Sequence, residues 1–319
     1  MVGFRPQENV QLTATEHAFA GAVSGAVSRV MFQPLDVLKV RFQLQIEPIQ
    51  PKNSSKYWGM YQATRTIIKE ESLRALWKGH VPAQFLSVLY GVGQFVSFEF
   101  LTKLAWKHLP EEYSTKYRPL THTVCGGLAA CAGTMLAQPS DVLRTRFIAQ
   151  GSVKTYSGLL SAMNQIKQTE GIPGLYKGLG PALIQTSFQI GLQFGLYSGL
   201  TSMWQWMEHK PLGGALGVTE SLVCGAASGV ISKFLAYPLD MTKKRLEIRG
   251  VEHIRKEFGS TRAYRGFIHC VVCVLREEGL RGMYKGLSPS LIKAAFMAAS
   301  NFFIYEQVCN ALKLRKADS

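Results

Sequence analysis

Pro34-Leu35-Asp36-Val37-Leu38-Lys39-Val40-Arg41 decides the fold, because the chain carries it twice more, as Pro139-Ser140-Asp141-Val142-Leu143-Arg144-Thr145-Arg146 and as Pro238-Leu239-Asp240-Met241-Thr242-Lys243-Lys244-Arg245. The sequence therefore repeats itself about every hundred residues. Each copy sets a proline, an acid and two bases at the end of a run too apolar for a surface helix. One acid and one base three residues apart are ordinary neighbours on a helix face. Three copies in register imply one body built from three similar parts.

Upstream of the first copy, the run from His17 is rich in small residues, with Gly21 and Gly25 spaced for close helix approach in a membrane. The helix is expected to bend at Pro34 and run on through the charges. Downstream, residues 46–56 are polar, with two prolines, and read as a loop. A short amphipathic helix then runs from Tyr57-Trp58-Gly59 to about Glu71, followed by Trp77-Lys78-Gly79 and the uncharged run Val81 to Phe98. The second copy sits in the same order: Thr121 to Ser140, the motif, Tyr156-Ser157-Gly158, Glu170-Gly171, Tyr176-Lys177-Gly178. Leu179 to Met207 is then free of formal charge and reads as the clearest span. The third gives Glu220 to Pro238, the motif, Tyr264-Arg265-Gly266, Glu278-Gly279, Tyr284-Lys285-Gly286 and a last span to about Leu312.

The repeat extends inside the later span of each unit. Counted from the glycine of each Lys-Gly pair, Pro82, Pro181 and Pro289 coincide, as helix first turns favour. So do Gln94-Phe95, Gln193-Phe194 and Asn301-Phe302, and then Phe98, Tyr197 and Tyr305. The expected fold class is an all-α membrane protein of six transmembrane helices in three pairs, each pair joined by a short helix. The expected divisions are a tail over 1–15, repeats over 16–110, 111–210 and 211–312, and a tail over 313–319.

The net charge of +15 beside a 47% hydrophobic fraction points to anionic partners or a membrane. Nucleic acid is disfavoured, since its ligand bases cluster on a soluble face, whereas several here lie inside or beside apolar helices. A mean hydropathy of +0.04 is low for a membrane protein and suits spans with one polar face on a cavity. Cys270 and Cys273 form a lone C-x-x-C without a second pair, so no metal is expected, and the six cysteines read as helix packing in a reducing setting. The first fifteen residues resemble neither a secretory signal nor a cleaved transit peptide, so organelle targeting would be internal.

The pattern P-x-[DE]-x-x-[KR]-x-[KR] followed by [DE]-G-x-x-x-x-[WYF]-[KR]-G, three times over residues 16–312, resembles the mitochondrial carrier family. One departure is Ser72, where the family has glycine after the acid, with an altered helix cap as the consequence. The resemblance implies a pseudo-threefold barrel of six tilted helices with three short matrix-side helices, a monomer in the mitochondrial inner membrane with both termini in the intermembrane space. It also implies that the motif acids pair with the first base of the next copy, Asp36 with Arg144, Asp141 with Lys243 and Asp240 with Lys39, as a matrix gate. Gln43 matches the family's glutamine brace; Ile148 and Glu247 stand in its place elsewhere, so at most one brace is expected. At the other end Phe98-Glu99, Tyr197-Ser198 and Tyr305-Glu306 lack the family's following bases, having Thr102, Thr201 and Cys309. That end should close weakly, by aromatic packing and a Glu99–Lys103 pair, which favours an outward-open resting state.

The gate has a physical logic without the family. A charge at bilayer depth costs about 2.5–3.5 kcal/mol on insertion scales and needs a partner or water. Desolvation opposes attraction, so each bridge is marginal and a ligand can offset its rupture.

Arg29 and Lys233 each lie five residues before their motif proline; Thr134 holds that place in the second repeat. Arg29 is roughly 18 Å into its helix, too deep to snorkel, so it faces water or an anion. The family's contact points fall on Leu86-Ser87, Gln185-Thr186 and Lys293-Ala294. Arg29, Lys233 and Lys293 together suit a diphosphate or triphosphate, and Tyr90 can stack on a heterocycle or cationic ring. Trp77-Lys78-Gly79, Tyr176-Lys177-Gly178 and Tyr284-Lys285-Gly286 open helices whose amides attract anionic head groups. By resemblance they clamp cardiolipin with the Tyr57-x-Gly59, Tyr156-x-Gly158 and Tyr264-x-Gly266 pairs, although interfacial anchoring explains any one copy equally well.

Five segments, 41–45, 78–84, 125–131, 141–147 and 237–259 with its basic insert His253-Ile254-Arg255-Lys256, are similar to the branch of the family that carries thiamine pyrophosphate. That implies import of this compound as a transported substrate, with no resident cofactor, in exchange for internal nucleotides. Coenzyme A or an adenine nucleotide fits the same cations, and a non-transporting membrane scaffold is the reading from another class. No helix offers a nucleophile–base pair, so an enzyme is not expected.

Overall fold

The computed structural model describes residues 12–49, 55–108, 118–152, 154–208, 217–254 and 262–317, with the backbone alone for 118–120, 218 and 317. Most of the 1–15 tail, the divisions set at 110 and 210, and Arg255 and Lys256 of the basic insert lie outside them. Each repeat is a long helix, a short helix, a single helical turn and a second long helix. In the first these are α1 (Ala14–Leu44), α2 (Met60–Glu70), the 3-10 turn Leu73–Trp77 and α3 (His80–His108). In the second they are α4 (Arg118–Ala149), α5 (Leu159–Glu170), the turn Ile172–Leu175 and α6 (Leu179–Met207). In the third they are α7 (Val218–Glu247), α8 (Phe267–Glu277), the turn Gly279–Met283 and α9 (Leu287–Ala317).

Local chemistry explains the ends. Thr13 and Glu16 form a reciprocal capping box at the start of α1, and Glu220 accepts from the Gly217 N–H at 2.9 Å at the start of α7. Pro34 sits inside α1 and cannot donate to the carbonyl four residues back. That carbonyl, Val30 O, accepts instead from the Trp77 indole at 2.9 Å.

The long helices close into a ring in which the second helix of each repeat lies along the first helix of the next: α3 on α4, α6 on α7, and α9 back on α1. The close approach expected at Gly21 and Gly25 is not there, since an added Cβ would meet nothing within 4 Å at either. Backbones come together instead at Gly93 and Gly133, where a Cβ on Gly133 would lie 2.9 Å from Tyr90 O. Small-residue spacing alone does not tell which face meets a neighbour.

The main buried core gathers at the motif end, where Val37, Leu44, Tyr57, Ile67, Ile148 and Ile166 pack together. Away from it large apolar groups face outward, among them Phe95, Phe100, Phe302 and Trp206. Such a surface is inside out for a water-soluble chain. Three helical stretches among the described residues are long and apolar enough to cross a membrane, Leu73–His108, Thr219–Glu247 and Gly279–Lys316. Leu179–Met207 is not one of them, against the sequence expectation. Its lack of charge is offset by Gln185, Gln189, Gln193 and Gln205 and by repeated Gly and Ser; charge-free is not the same as apolar.

Ser72 is the only non-glycine residue with positive φ among the described ones, at φ 153° and ψ 169°. The matching Gly171 and Gly279 have φ 72° and 66°. That region is essentially restricted to glycine and costs about 1–3 kcal/mol elsewhere. It precedes a 3-10 turn where the other repeats have α-turns. Ser72→Gly is expected to raise the thermal unfolding midpoint of the detergent-solubilised protein; a lowered midpoint would mean that the serine is not strained.

Candidate functional site

The three motif copies meet at one end of the ring. Asp36 pairs with Arg144, Asp141 with Lys243, and Asp240 with Lys39, each at 2.6 Å. Each pair joins a different two of α1, α4 and α7, so the charges form a closed triangle. The Gln43 amide donates to Asp240 Oδ2 at 2.9 Å and to the Tyr237 hydroxyl at 3.2 Å. The other two matching places hold no glutamine. Glu247, fully buried, stands 3.8 Å from Lys243 and accepts from Lys244 Nζ at 2.9 Å. Ile148, in the third such place, is buried in the apolar core.

Glycines place these charges. Gly79, Gly178 and Gly286 adopt φ of 73°, 79° and 81°, and each lies against the main-chain carbonyl of a gate base. A Cβ there would approach Arg144 O at 2.9 Å, Lys243 O at 3.2 Å and Lys39 O at 2.7 Å, respectively. The residue before each proline ties the same turn from its own repeat. Gln33, Gln138 and Tyr237 donate to the carbonyls of Lys78, Lys177 and Lys285, all at 2.9 Å.

Beside the triangle lies a hollow of about 290 Å³, walled by Leu86, Tyr90, Thr134, Gln138, Gln185 and Thr186, with Arg144, Asp141, Lys243 and Lys244 on its charged side. This is at the small end of ligand-sized cavities. Thr186 and Thr134 hydroxyls are 3.2 Å apart, and the Gln185 amide is 3.4 Å from Asp240 Oδ1.

The three expected cavity cations divide into two kinds. Lys293 does not stand free: its ammonium donates to both oxygens of Asp36, at 2.8 and 2.7 Å, sharing that carboxylate with Arg144. It is a gate contact in this state, because the acid lies within reach across α1. Arg29 and Lys233 differ. Arg29 Nη1 donates to Ala83 O and Lys233 Nζ to Ser290 O, both at 3.1 Å. Each acceptor lies four residues beyond the Lys-Gly glycine of the same repeat. Among the described residues neither cation has a carboxylate within ion-pair distance.

The Lys-Gly triplets also need correction as lipid ligands. Lys78, Lys177 and Lys285 bond Glu71, Glu170 and Glu278. They also reach main-chain carbonyls of the next repeat: Gly151 O at 2.6 Å, Arg249 O at 2.6 Å and Ile46 O at 2.7 Å. Each acid further binds the second base of its motif, Arg41, Arg146 or Arg245, through both oxygens. Those arginines donate to the Tyr57, Tyr156 and Tyr264 hydroxyls, which are internal as well. Sequence reasoning assigned the second bases nothing. The signal was present: that base is always arginine, and each acid lies seven residues before the lysine.

Burial raises the carboxyl pKa of Glu71 and Glu170, but the hydrogen bonds and charges of Arg41 with Lys78, and of Arg146 with Lys177, outweigh it and hold both below the ordinary 4.5. A depressed acid contributes stability that is complete above its unfolded pKa and is lost as pH falls through the folded one. The unfolding midpoint should therefore be insensitive to these groups above about pH 5 and drop progressively below pH 4.5. A midpoint unchanged on acidification through that range would contradict the assignment.

At the opposite end, Glu99 and Lys103 pair at 2.6 Å, but both are exposed on α3 and one turn apart. The pair joins no two helices and so cannot close that end; exposed i,i+4 pairs also contribute little. The aromatic contacts there do cross between repeats. Tyr305 stacks on His17 with its hydroxyl 2.7 Å from Nδ1, and His122 lies between Phe98 and Trp106.

A ring of three like units, pinched by cross-repeat ion pairs beside a cation-flanked hollow, has the construction of a membrane transporter of alternating access. The chain belongs to the mitochondrial carrier family, whose model, described as mitochondrial carrier protein, matches residues 10–109, 115–208 and 214–316. It is a transporter and not an enzyme. It is 46% identical to the mitochondrial thiamine pyrophosphate carrier of Bos taurus, with both chains covered over 100% of their length. It is 47% identical to that of Homo sapiens, covering 97% of this chain and 96% of the relative. Mitochondrial thiamine diphosphate carrier 1 of Arabidopsis thaliana is 38% identical, over 91% of each.

Proposed function

We propose that this chain carries thiamine pyrophosphate across the mitochondrial inner membrane by alternating-access exchange against nucleotides. The observation that carries the reading is end-to-end identity of 46–47% to carriers named for that compound. The chemistry of the site agrees. Among the described residues Arg29 and Lys233 each hold one neutral carbonyl, which suits strong charge-assisted bonds to a pyrophosphate, and Tyr90 offers a ring face for the thiazolium. Six long helices span the bilayer in this reading. The paired triangle is then the matrix gate, closed here, and both termini face the intermembrane space. The chain acts as a monomer, and the helix-start amides of the Lys-Gly turns hold cardiolipin head groups through main chain and not through the committed lysines.

Proteoliposomes loaded with thiamine pyrophosphate should take up the labelled compound from outside, and excess unlabelled thiamine pyrophosphate should compete better than coenzyme A or adenine nucleotides. A competition order led by coenzyme A or an adenine nucleotide would reassign the substrate. Absence of uptake of all of them by folded protein would favour a scaffold.

A further inference from the structure

We propose that Lys244, Glu247 and Thr145 form a charged latch across the α4–α7 seam, and that these positioning residues keep gate opening coupled to substrate. The proposal rests on the transport reading only in requiring that this end open during the cycle.

The three gate corners are chemically unequal. At the Asp240–Lys39 corner the extra support is a neutral amide, Gln43. At the Asp36–Arg144 corner the corresponding residue is the apolar Ile148, and the added contact is Lys293, a cation of α9. At the Asp141–Lys243 corner the place belongs to a carboxylate, Glu247, which cannot donate to Asp141. Lys244 resolves this: its ammonium lies 2.7 Å from Asp141 Oδ1, 2.9 Å from Glu247 Oε2 and 3.1 Å from Thr145 Oγ1. Thr145 in turn donates to Glu247 Oε2. The other repeats have Val40 and Thr145 where Lys244 stands, so this ammonium has no counterpart.

Two acids and two bases thus interlock, with Lys244 at 5% exposure and Glu247 at 0%. A second contact seals the same seam, Arg146 Nε donating to Glu247 O at 3.3 Å. Removing one member of a buried set strands the others, whereas the intact set is self-neutral. Opening this corner must therefore separate two ion pairs across the α4–α7 seam, Asp141 with Lys243 and with Lys244, where the α1–α4 and α1–α7 seams each hold one, the second partner of Asp36 being Lys293 of α9. The latch holds the gate shut between substrate arrivals, so that solute crosses by exchange and not by leak.

The test is the ratio of unidirectional efflux from preloaded proteoliposomes to exchange. Lys244→Met is expected to raise that ratio about tenfold, and Lys244→Arg, which keeps the donors, to leave it near the native value. Thr145→Val, which keeps the shape and removes one hydroxyl, should raise it less, about threefold, and remains readable if Lys244→Met fails to reconstitute. A native ratio in both Lys244→Met and Thr145→Val would overturn the latch, as would Lys244→Arg leaking like the methionine variant. Should the native protein exchange a different phosphate compound, the substrate reading falls alone, and the same ratio measured with that compound decides the latch.

Discussion

Lys233→Ala is expected to lower thiamine pyrophosphate exchange in proteoliposomes by about ten- to a hundredfold, and Arg29→Ala to do the same, with little change in the thermal midpoint. Each residue lies in the same register of its repeat, directed at one main-chain carbonyl. A neutral acceptor leaves a half-buried cation largely uncompensated, so an arriving phosphate gains a charge-assisted bond worth about 1.5–3 kcal/mol. That energy corresponds to the stated range of binding or rate. Lys293 should behave otherwise. Because it holds Asp36 in the closed gate, its loss removes a gate contact along with any substrate contact. Native exchange by Lys233→Ala and Arg29→Ala would remove both from the site.

The second large effect lies outside the cavity. Glu278→Gln should destabilise the protein by about 3–5 kcal/mol, the cost of stranding buried charge, seen as a sharp loss of thermal midpoint or of folded yield. The Glu278 side chain is 4% exposed and binds Arg245 with both oxygens while also bonding Lys285. An amide removes the negative charge and turns one acceptor into a donor aimed at two cations. Glu71 and Glu170 occupy the same place in their repeats. A Glu278→Gln protein with native stability would show that the triads are ornaments of the ring and not its fasteners.

Much of this was legible in the sequence because the repeat is covalent: three motif copies fix three helix pairs, and the family resemblance implied the cyclic pairing of Asp36, Asp141 and Asp240. The cation Arg29 was legible as a candidate from its depth, and Lys233 from the same place before its motif proline. Three things were not. Lys293 read as a cavity residue, since nothing in its own helix reveals that Asp36 lies opposite. The lysines of the Lys-Gly turns read as lipid ligands, since their partners are carbonyls of another repeat, and carbonyls are invisible in a one-letter code. Gly21 and Gly25 read as a helix contact, while Gly93 and Gly133 make the close crossing, because spacing gives a face but not its neighbour.

The clasp between α1 and α9 has a topological consequence. Glu16 and Lys316 pair at 2.9 Å, next to the His17–Tyr305 contact, so α9 is fastened along α1 as α3 lies along α4 and α6 along α7. The three units form a cycle whose starting point is arbitrary. A circular permutant that bridges residues 16 and 316 with a short linker and opens the chain between the first and second units keeps every interlock between units. The order of translation is a property of the gene; the assembled ring has no first member.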